Sequence, residues 1–86
     1  MFDKSFPCPC CGYLTLSEEP PGTFEICDVC GWEDDNTQFS DPEYSGGANR
    51  ISLNQARHNF KTFGACSQEK RKDVRAPKQS EMPQKS

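Results

Sequence analysis

Apolar residues are sparse along the chain, and the first clear pattern is a pair of short segments rich in β-forming side chains. Residues 13–16 (YLTL) and 23–26 (TFEI) flank the segment SEEPPG, whose Pro and Gly residues are typical of a turn. We therefore predict a β-hairpin in which these two segments pair as antiparallel strands. Such pairing brings the residues that precede the first strand beside those that follow the second.

The second clear pattern is helical and lies in residues 51–64, ISLNQARHNFKTFG. Ser52 is a good N-cap, and Gln55 three residues later completes a capping box. Gly64 is suited to ending the helix because it tolerates a left-handed conformation. Apolar side chains recur on one helical face, at Leu53, Ala56, Phe60 and Phe63. This face is expected to pack on the rest of the domain.

The remaining segments are polar and differ in kind. Residues 32–49 are acidic and rich in turn residues, which predicts an ordered loop with room for one short strand near residues 37–39. Residues 66–86 have almost no apolar side chains and no periodicity, which predicts a disordered basic tail. The predicted organisation is therefore one domain over residues 3–65 followed by that tail.

A chain of 86 residues, of which 33% are apolar, buries too little surface to rely on a hydrophobic core alone. Domains of this size use disulfides or a metal ion for stability, and six cysteines permit either. The N-terminal residues lack the apolar run of a signal peptide, and no segment is apolar for long enough to span a bilayer. We therefore expect a cytoplasmic protein whose reduced cysteines serve as metal ligands.

Four cysteines follow a metal-binding pattern. Cys8 and Cys11 are separated by two residues, as are Cys27 and Cys30, and fifteen residues lie between the two pairs. This spacing is typical of zinc sites with four thiolate ligands. A closed shell of four thiolates leaves no position for a reacting water, so the predicted site supports folding rather than catalysis.

The two cysteine pairs belong to a longer repeated pattern, C-x-x-C-G-aromatic. We name these units the first knuckle (residues 8–13) and the second knuckle (residues 27–32). A glycine follows the second cysteine of each knuckle, where it permits a positive φ that a residue with a Cβ resists. The predicted hairpin brings the two knuckles together at its open end.

Iron is the alternative metal, because tetrahedral sets of four cysteines also hold iron. Both knuckles resemble those of rubredoxin-like proteins, and the short gap between them is similar to the rubredoxin-like module of rubrerythrins. The intervening segment lacks the other sequence features of those modules. The sequence therefore favours zinc and leaves iron open.

Two cysteines and the single histidine lie outside this pattern. Cys10 is predicted to be a small side chain near the site, with a spare or exchanging ligand as the alternative. Cys66 lies in the predicted tail and is expected to be a free, oxidisable thiol. His58 falls opposite the apolar helical face, so a Cys–His nucleophile pair has little support and no catalytic residue is predicted.

The charge of the chain is asymmetric. Residues 1–65 carry ten acidic and four basic side chains, a balance of −6, whereas residues 66–86 carry six basic and three acidic ones, a balance of +3. An acidic domain repels phosphate, which makes nucleic-acid binding by the folded part unfavourable. An acidic cluster predicts a solvated loop, an oxygen-ligand metal site or the contact for a protein partner, and consists of Glu33, Asp34 and Asp35.

Several short motifs together resemble one known family. The motifs are CPCCGY, WEDD, GGAN and SL…A..NF, all within residues 6–65. They resemble the cysteine-rich CPCC family of small bacterial proteins, which brings no established activity with it. The resemblance implies a small zinc-binding domain in which Cys10 is the family's extra cysteine and the metal positions are Cys8, Cys11, Cys27 and Cys30. Many members have Pro at the position of Asp28 in this chain. This difference affects only the expected stiffness of the second knuckle.

The sequence thus predicts a small metal-bound α+β domain of zinc-ribbon or rubredoxin-like type, with a β-hairpin, two knuckles and one C-terminal helix. The leading functional hypothesis is a non-enzymatic, zinc-stabilised module that binds a protein partner through Glu33, Asp34 and Asp35. The alternative is a rubredoxin-like iron electron carrier or a thiol redox sensor that uses Cys10.

Overall fold

The computed structural model describes residues 5–83. The predicted start of the domain, at residues 3–4, and the end of the tail, at residues 84–86, lie outside the described residues. The described chain is a small α+β fold. Its elements in chain order are β1 (Phe6–Pro7), β2 (Leu14–Leu16), α1 (Asn36–Ser40), α2 (Leu53–Phe63) and the 3-10 helices Gln68–Asp73 and Gln79–Glu81.

An antiparallel hairpin encloses the first knuckle. Its strands are β1 and β2, with Phe6 paired to Leu16 and Pro7 paired to Leu14, and the register is irregular between Phe6 and Pro7. The prediction of a two-stranded hairpin is confirmed. Only one of its two strands, however, lies where the sequence predicts it.

The other predicted strand, residues 23–26, pairs across the second knuckle instead. Phe24 N donates to Asp34 O, and Asp34 N donates to Glu25 O, both at 2.9 Å. The predicted pairing of this segment with residues 13–16 is therefore wrong. The structure therefore has two antiparallel ribbons, each folded around one knuckle. It does not have a single hairpin with both knuckles at its open end.

Each knuckle reverses the chain by itself, and this explains the pairing. In the first knuckle Cys8 N donates to Tyr13 O at 2.9 Å and Gly12 N donates to Cys8 O at 2.8 Å, and the second knuckle repeats these bonds at 3.0 and 2.8 Å. Gly12 and Gly31 have the expected positive φ, of 82° and 89°. These bonds hold the residues on either side of each knuckle next to one another, so each strand pairs across its own knuckle.

The predicted helix is confirmed as α2. Ser52 is its N-cap and accepts a hydrogen bond from Gln55 N at 3.1 Å, and Gly64 ends it with a φ of 84°. The side chain of Gln55 donates to Asn59 instead of returning to the cap, so only half of the capping box forms. The apolar face packs inward as predicted: Leu53 and Ala56 are fully buried and Phe60 packs on the core, with Tyr13 edge-to-face against it.

The acidic loop is ordered but contains α1 instead of a short strand at residues 37–39. Asp35 is the N-cap of α1, and its carboxylate accepts a hydrogen bond from Gln38 N at 3.0 Å. The Gln38 side chain is fully buried, and its amide nitrogen donates to the carbonyls of Tyr44, Asn49 and Ile51. A capped helical turn thus satisfies the buried backbone groups of this loop, which an unpaired strand could not do.

Residues 66–75, for which the sequence predicts disorder, contact the second knuckle. Cys66 N donates to Cys30 O at 2.7 Å, and Arg75 N donates to Asp28 O at 3.1 Å. These bonds are made by the backbone, which is the same for every residue type. The composition of the tail therefore contains no signal for them.

Side chains of the same segment add to the packing. The aliphatic part of Lys70 lies over Gly31, so that a Cβ added to Gly31 would be 2.9 Å from Lys70 Cβ. The guanidinium of Arg75 donates to both carboxylate oxygens of Glu81, at 2.9 and 2.7 Å. Charged residues that suggest a solvated tail are thus partly used in contacts with neighbouring groups.

The cysteines themselves occupy the centre of the fold. The buried core joins the two knuckles to α2 and consists of Cys8, Cys10, Cys27, Val29, Cys30, Trp32, Leu53, Ala56 and Cys66. Because cysteines make up much of this core, its stability depends on what their thiols bind. Within residues 5–83, no helix is long and apolar enough to cross a membrane.

Candidate metal centre

The four cysteines of the predicted metal site lie together between the knuckles. Their Sγ atoms all lie within 4.8 Å of one another. The sulfurs of Cys8 and Cys30 are 3.6 Å apart, and those of Cys11 and Cys27 are 3.7 Å apart. An ion with four tetrahedral bonds of about 2.3 Å places its sulfurs about 3.8 Å from one another, so the cluster fits a single metal ion.

The four cysteines differ in their exposure. Cys8, Cys27 and Cys30 are at most 2% exposed, whereas Cys11 is partly exposed. All four are free of disulfides. Solvent and small reagents therefore reach the cluster most readily on the side of Cys11.

The sulfur of Cys27 accepts three hydrogen bonds from N–H and O–H groups of residues 5–83. Two come from its own knuckle, from Val29 N at 3.3 Å and Cys30 N at 3.4 Å. The third comes from the hydroxyl of Thr15 on β2, at 3.0 Å. Donors of this kind stabilise a thiolate and orient it toward a metal ion.

The other sulfurs accept fewer bonds. Cys10 N donates to Cys8 Sγ at 3.4 Å, and Trp32 N donates to Cys30 Sγ at 3.4 Å. Cys11 Sγ accepts no N–H or O–H bond from any residue between 5 and 83. Tyr13, the counterpart of Trp32 in the first knuckle, does not donate a hydrogen bond to Cys11 Sγ. The two knuckles therefore differ in the hydrogen bonding of their second cysteine.

In the metal-free protein, negative charge is distributed unequally among the four clustered cysteines. Hydrogen bonding with Cys11 strongly lowers the pKa of Cys27, and the same contact raises the pKa of Cys11. A hydrogen bond with Cys10 is the main cause that raises the pKa of Cys30. Negative charge therefore collects on Cys27, the sulfur with the most donors.

The two remaining cysteines are buried beside the cluster. Cys10 is 8% exposed and Cys66 is 2% exposed, and both belong to the core. Burial raises the pKa of Cys66 to about 12. The predicted oxidisable thiol in a disordered tail is thus a free but buried thiol held in its protonated form, which is unreactive.

The acidic cluster is not a solvated surface. Asp34 is 1% exposed and Asp35 is 8% exposed. Asp34 accepts bonds from the backbone and the hydroxyl of Thr23, at 2.9 and 2.8 Å. The N–H of Ala48 donates to Asp35 and is the main cause that lowers its pKa. Both carboxylates therefore tie the loop together.

Sequence reasoning missed two residues that act on the cluster or on its knuckles. The sequence places Thr15 in a strand only, yet its hydroxyl donates to Cys27 Sγ. Arg57, for which the sequence predicts no contact, donates from Nε to Pro9 O at 3.0 Å. Neither contact can be predicted from a local sequence pattern, because the two residues that it joins are far apart in sequence. His58 is exposed, as predicted.

Among residues 5–83, the four-cysteine cluster is the only group of three or more His, Cys, Asp or Glu side chains arranged to share a metal ion. The fold and this site define a small cysteine-rich α+β protein with a central cluster that could hold a metal ion. The chain belongs to the Cysteine-rich CPCC family, whose model matches residues 6–81. The match extends beyond the predicted domain and includes the segment that packs on the second knuckle. None of the curated proteins matches the chain.

Proposed function

We propose that the protein is a non-enzymatic zinc-binding protein whose four clustered cysteines hold one structural Zn²⁺. The observation that carries this proposal is the closed cluster of four sulfurs, all within 4.8 Å of one another. Four thiolates complete a tetrahedral shell and leave no position for a reacting water or substrate. The ion would cross-link the knuckles with about 10–16 kcal/mol, the range found for zinc-finger peptides, which a core of this size does not provide.

The first test is the metal content of protein purified under reducing, anaerobic conditions. Elemental analysis together with a visible spectrum should find one zinc ion per chain in a colourless protein. Removing the ion with a chelator should then abolish the cooperative unfolding transition, since the buried core includes the ligands. A protein that contains no metal and still unfolds cooperatively would contradict the proposal.

We further propose that the domain binds a protein partner. The sequence predicts contacts through Glu33, Asp34 and Asp35, but the burial of the two aspartates leaves Glu33 as the more accessible carboxylate. Two large apolar side chains on the same ribbon are exposed, Phe24 by 59% and Ile26 by 55%.

These side chains form a candidate contact surface. Ile26 and Glu33 are paired in an antiparallel bridge, so their side chains point to the same face of the ribbon. Phe24 has a φ of 61°, a left-handed conformation that costs a bulky residue energy and is retained mostly where function requires it. We name Phe24, Ile26 and Glu33 the ribbon surface and propose that a partner with apolar and basic groups binds there.

The ribbon surface can be tested by paired substitutions. Ile26→Ser and Glu33→Lys should each weaken the capture of a specific partner without changing the metal content. Glu19→Lys, which reverses an exposed charge in the segment SEEPPG, is the matched control. Equal capture by all three variants would remove this surface from consideration.

An iron electron carrier is the second candidate. The observation that favours it is the set of five N–H and O–H donors that contact the cluster sulfurs, since such bonds help to set the reduction potential of iron–thiolate sites. Reconstitution with iron should then give a red protein with a reversible one-electron couple. An irreversible couple, or loss of iron on oxidation, would exclude this function.

A further inference from the structure

Cys11 differs from the other three clustered cysteines in two independent ways. It is partly exposed, whereas the others are buried. It also accepts no N–H or O–H bond from residues 5–83, whereas Cys27 accepts three. We propose that Cys11 is a modification site whose sulfur reacts with peroxides and other small electrophiles in the metal-loaded protein. This inference rests on the four-cysteine metal centre proposed above.

Hydrogen bonding explains why the four thiolates would differ in reactivity. Metal binding deprotonates all four thiols, so the ordinary difference between thiol and thiolate no longer separates them. A donor that shares a sulfur lone pair lowers its nucleophilicity, because that bond must weaken before the sulfur can attack. Cys27 has three such donors, and Cys11 has none within the described chain. Cys11 should therefore be the strongest nucleophile of the four.

Access to the first knuckle points the same way. A Cβ added at Gly12, the residue after Cys11, would meet no atom within 4 Å. The corresponding glycine of the second knuckle, Gly31, is covered by the side chain of Lys70. A small reagent can therefore approach the outer side of the first knuckle but not that of the second.

The two cysteines outside the cluster are poor competitors. Cys66 is 2% exposed, so a reagent does not reach its thiol while the protein is folded. Cys10 is 8% exposed. In the folded, metal-loaded protein the reactive thiolate is therefore a cluster sulfur, and not the spare Cys10 that the sequence suggests for a redox sensor.

Hydrogen peroxide provides a balanced reaction for this site. The Cys11 sulfur attacks one peroxide oxygen, the O–O bond breaks and hydroxide leaves, which gives a sulfenic acid at Cys11. The Cys27 sulfur, 3.7 Å away, then attacks the Cys11 sulfur and displaces a second hydroxide to form a disulfide. Two thiolates are oxidised and one peroxide is reduced to two hydroxide ions. Only two of the four thiolates then remain, so the metal ion is released.

The first experiment uses iodoacetamide as the electrophile, on full-length protein loaded with zinc. The reagent is added below one equivalent, and peptide mapping by mass spectrometry locates the alkylated cysteine at early times. We expect Cys11 to carry at least about ten times more label than Cys27, within the range of effects that hydrogen bonds around metal ligands produce. First labelling at Cys10 or Cys66, or equal labelling of the four clustered cysteines, would overturn the inference.

A matched variant tests the hydrogen-bond argument. Thr15→Val removes one donor from Cys27 and should raise the share of label on Cys27. Thr15→Ser keeps a hydroxyl donor and should give the same distribution of label among the cysteines as the unsubstituted protein. A second measurement follows zinc release by hydrogen peroxide with a colorimetric chelator and maps the disulfide without reduction. We expect one bond, between Cys11 and Cys27, to appear at the rate of zinc release. A different first disulfide would contradict the reaction.

The outcome also separates this inference from the proposed function. Protein that contains no metal would contradict the metal centre itself. Protein with one zinc ion per chain, labelled first at a cysteine other than Cys11, would leave the metal centre in place and remove only the modification site.

Discussion

The two knuckles share a sequence pattern and a backbone turn, yet their surroundings differ. In the first knuckle the two cysteine sulfurs together accept one hydrogen bond from N–H or O–H groups of the described chain, and a Cβ added at Gly12 would meet open space. In the second knuckle the two sulfurs accept four such bonds, and Lys70 covers Gly31. One local motif therefore provides two different chemical environments.

The difference has a physical origin outside the motif. The second knuckle is contacted by Thr15 from β2 and by the segment that begins at Cys66, whereas the first is held from outside by Arg57 at Pro9. The motif sets the turn and directs two sulfurs to one side. The chain packed around it decides how much charge each sulfur keeps and what can reach it.

The largest expected difference between the knuckles lies in their ligands. Cys27→Ala should lower zinc affinity by at least about 100-fold, because it removes a ligand and leaves three donors without their acceptor. Cys11→Ala should cost roughly ten-fold less, since no donor of residues 5–83 loses its partner. Competition with a chelator of known affinity measures both. Equal losses would show that the hydrogen bonds on Cys27 do not affect metal binding.

The two knuckle glycines form the next matched pair. Alanine at either position adds a left-handed strain of about 1–2 kcal/mol. Gly31→Ala should cost about 1–3 kcal/mol more than Gly12→Ala, because its Cβ would overlap Lys70 and overpack the site. Denaturant unfolding of the zinc-loaded proteins measures both.

A double-mutant cycle checks the cause of that difference. In a Lys70→Gly background the side chain over Gly31 is absent, so the two alanine variants should become nearly equal. A difference that persists unchanged would mean that the segment after Cys66 does not rest on the second knuckle in solution.

Removal of the Thr15 hydroxyl is expected to have a smaller effect. Thr15→Val should lower metal affinity by about ten-fold and shift the sulfur-to-metal charge-transfer bands of cobalt-substituted protein. Thr15→Ser should keep both close to the original values. A serine variant that behaves like valine would indicate that Thr15 matters for packing and not for its hydrogen bond to Cys27.

The smallest expected effect concerns the support of the first knuckle. Arg57→Ala removes one hydrogen bond to Pro9 O and should cost about 0.5–1.5 kcal/mol. The loss should appear as faster amide hydrogen exchange in the first knuckle alone. Arg50→Ala is the control, because its ion pair with Glu69 is exposed and surface pairs contribute little. Faster exchange in the second knuckle would contradict the assignment.

The same contrast shows how much of this protein follows from local sequence. The cysteine spacing predicts which four sulfurs come together, because each C-x-x-C-G unit closes its own turn and needs a glycine with positive φ. Ser52 and Gly64 predict both ends of α2, because caps act on backbone groups within one helical turn. These features require no knowledge of distant residues.

The tertiary structure alone decided which strands pair, which acids are buried and where the last segment lies. The β-forming segment at residues 23–26 suits more than one partner, and Asp34 has the same chemistry on a surface as in a core. Its burial depends on Thr23, and the order of the segment after Cys66 depends on Cys30 and Asp28. Local preferences specify turns and caps because their partners lie within a few residues. Contacts between distant segments form only where the whole fold can satisfy buried polar groups, so no single stretch of the sequence encodes them.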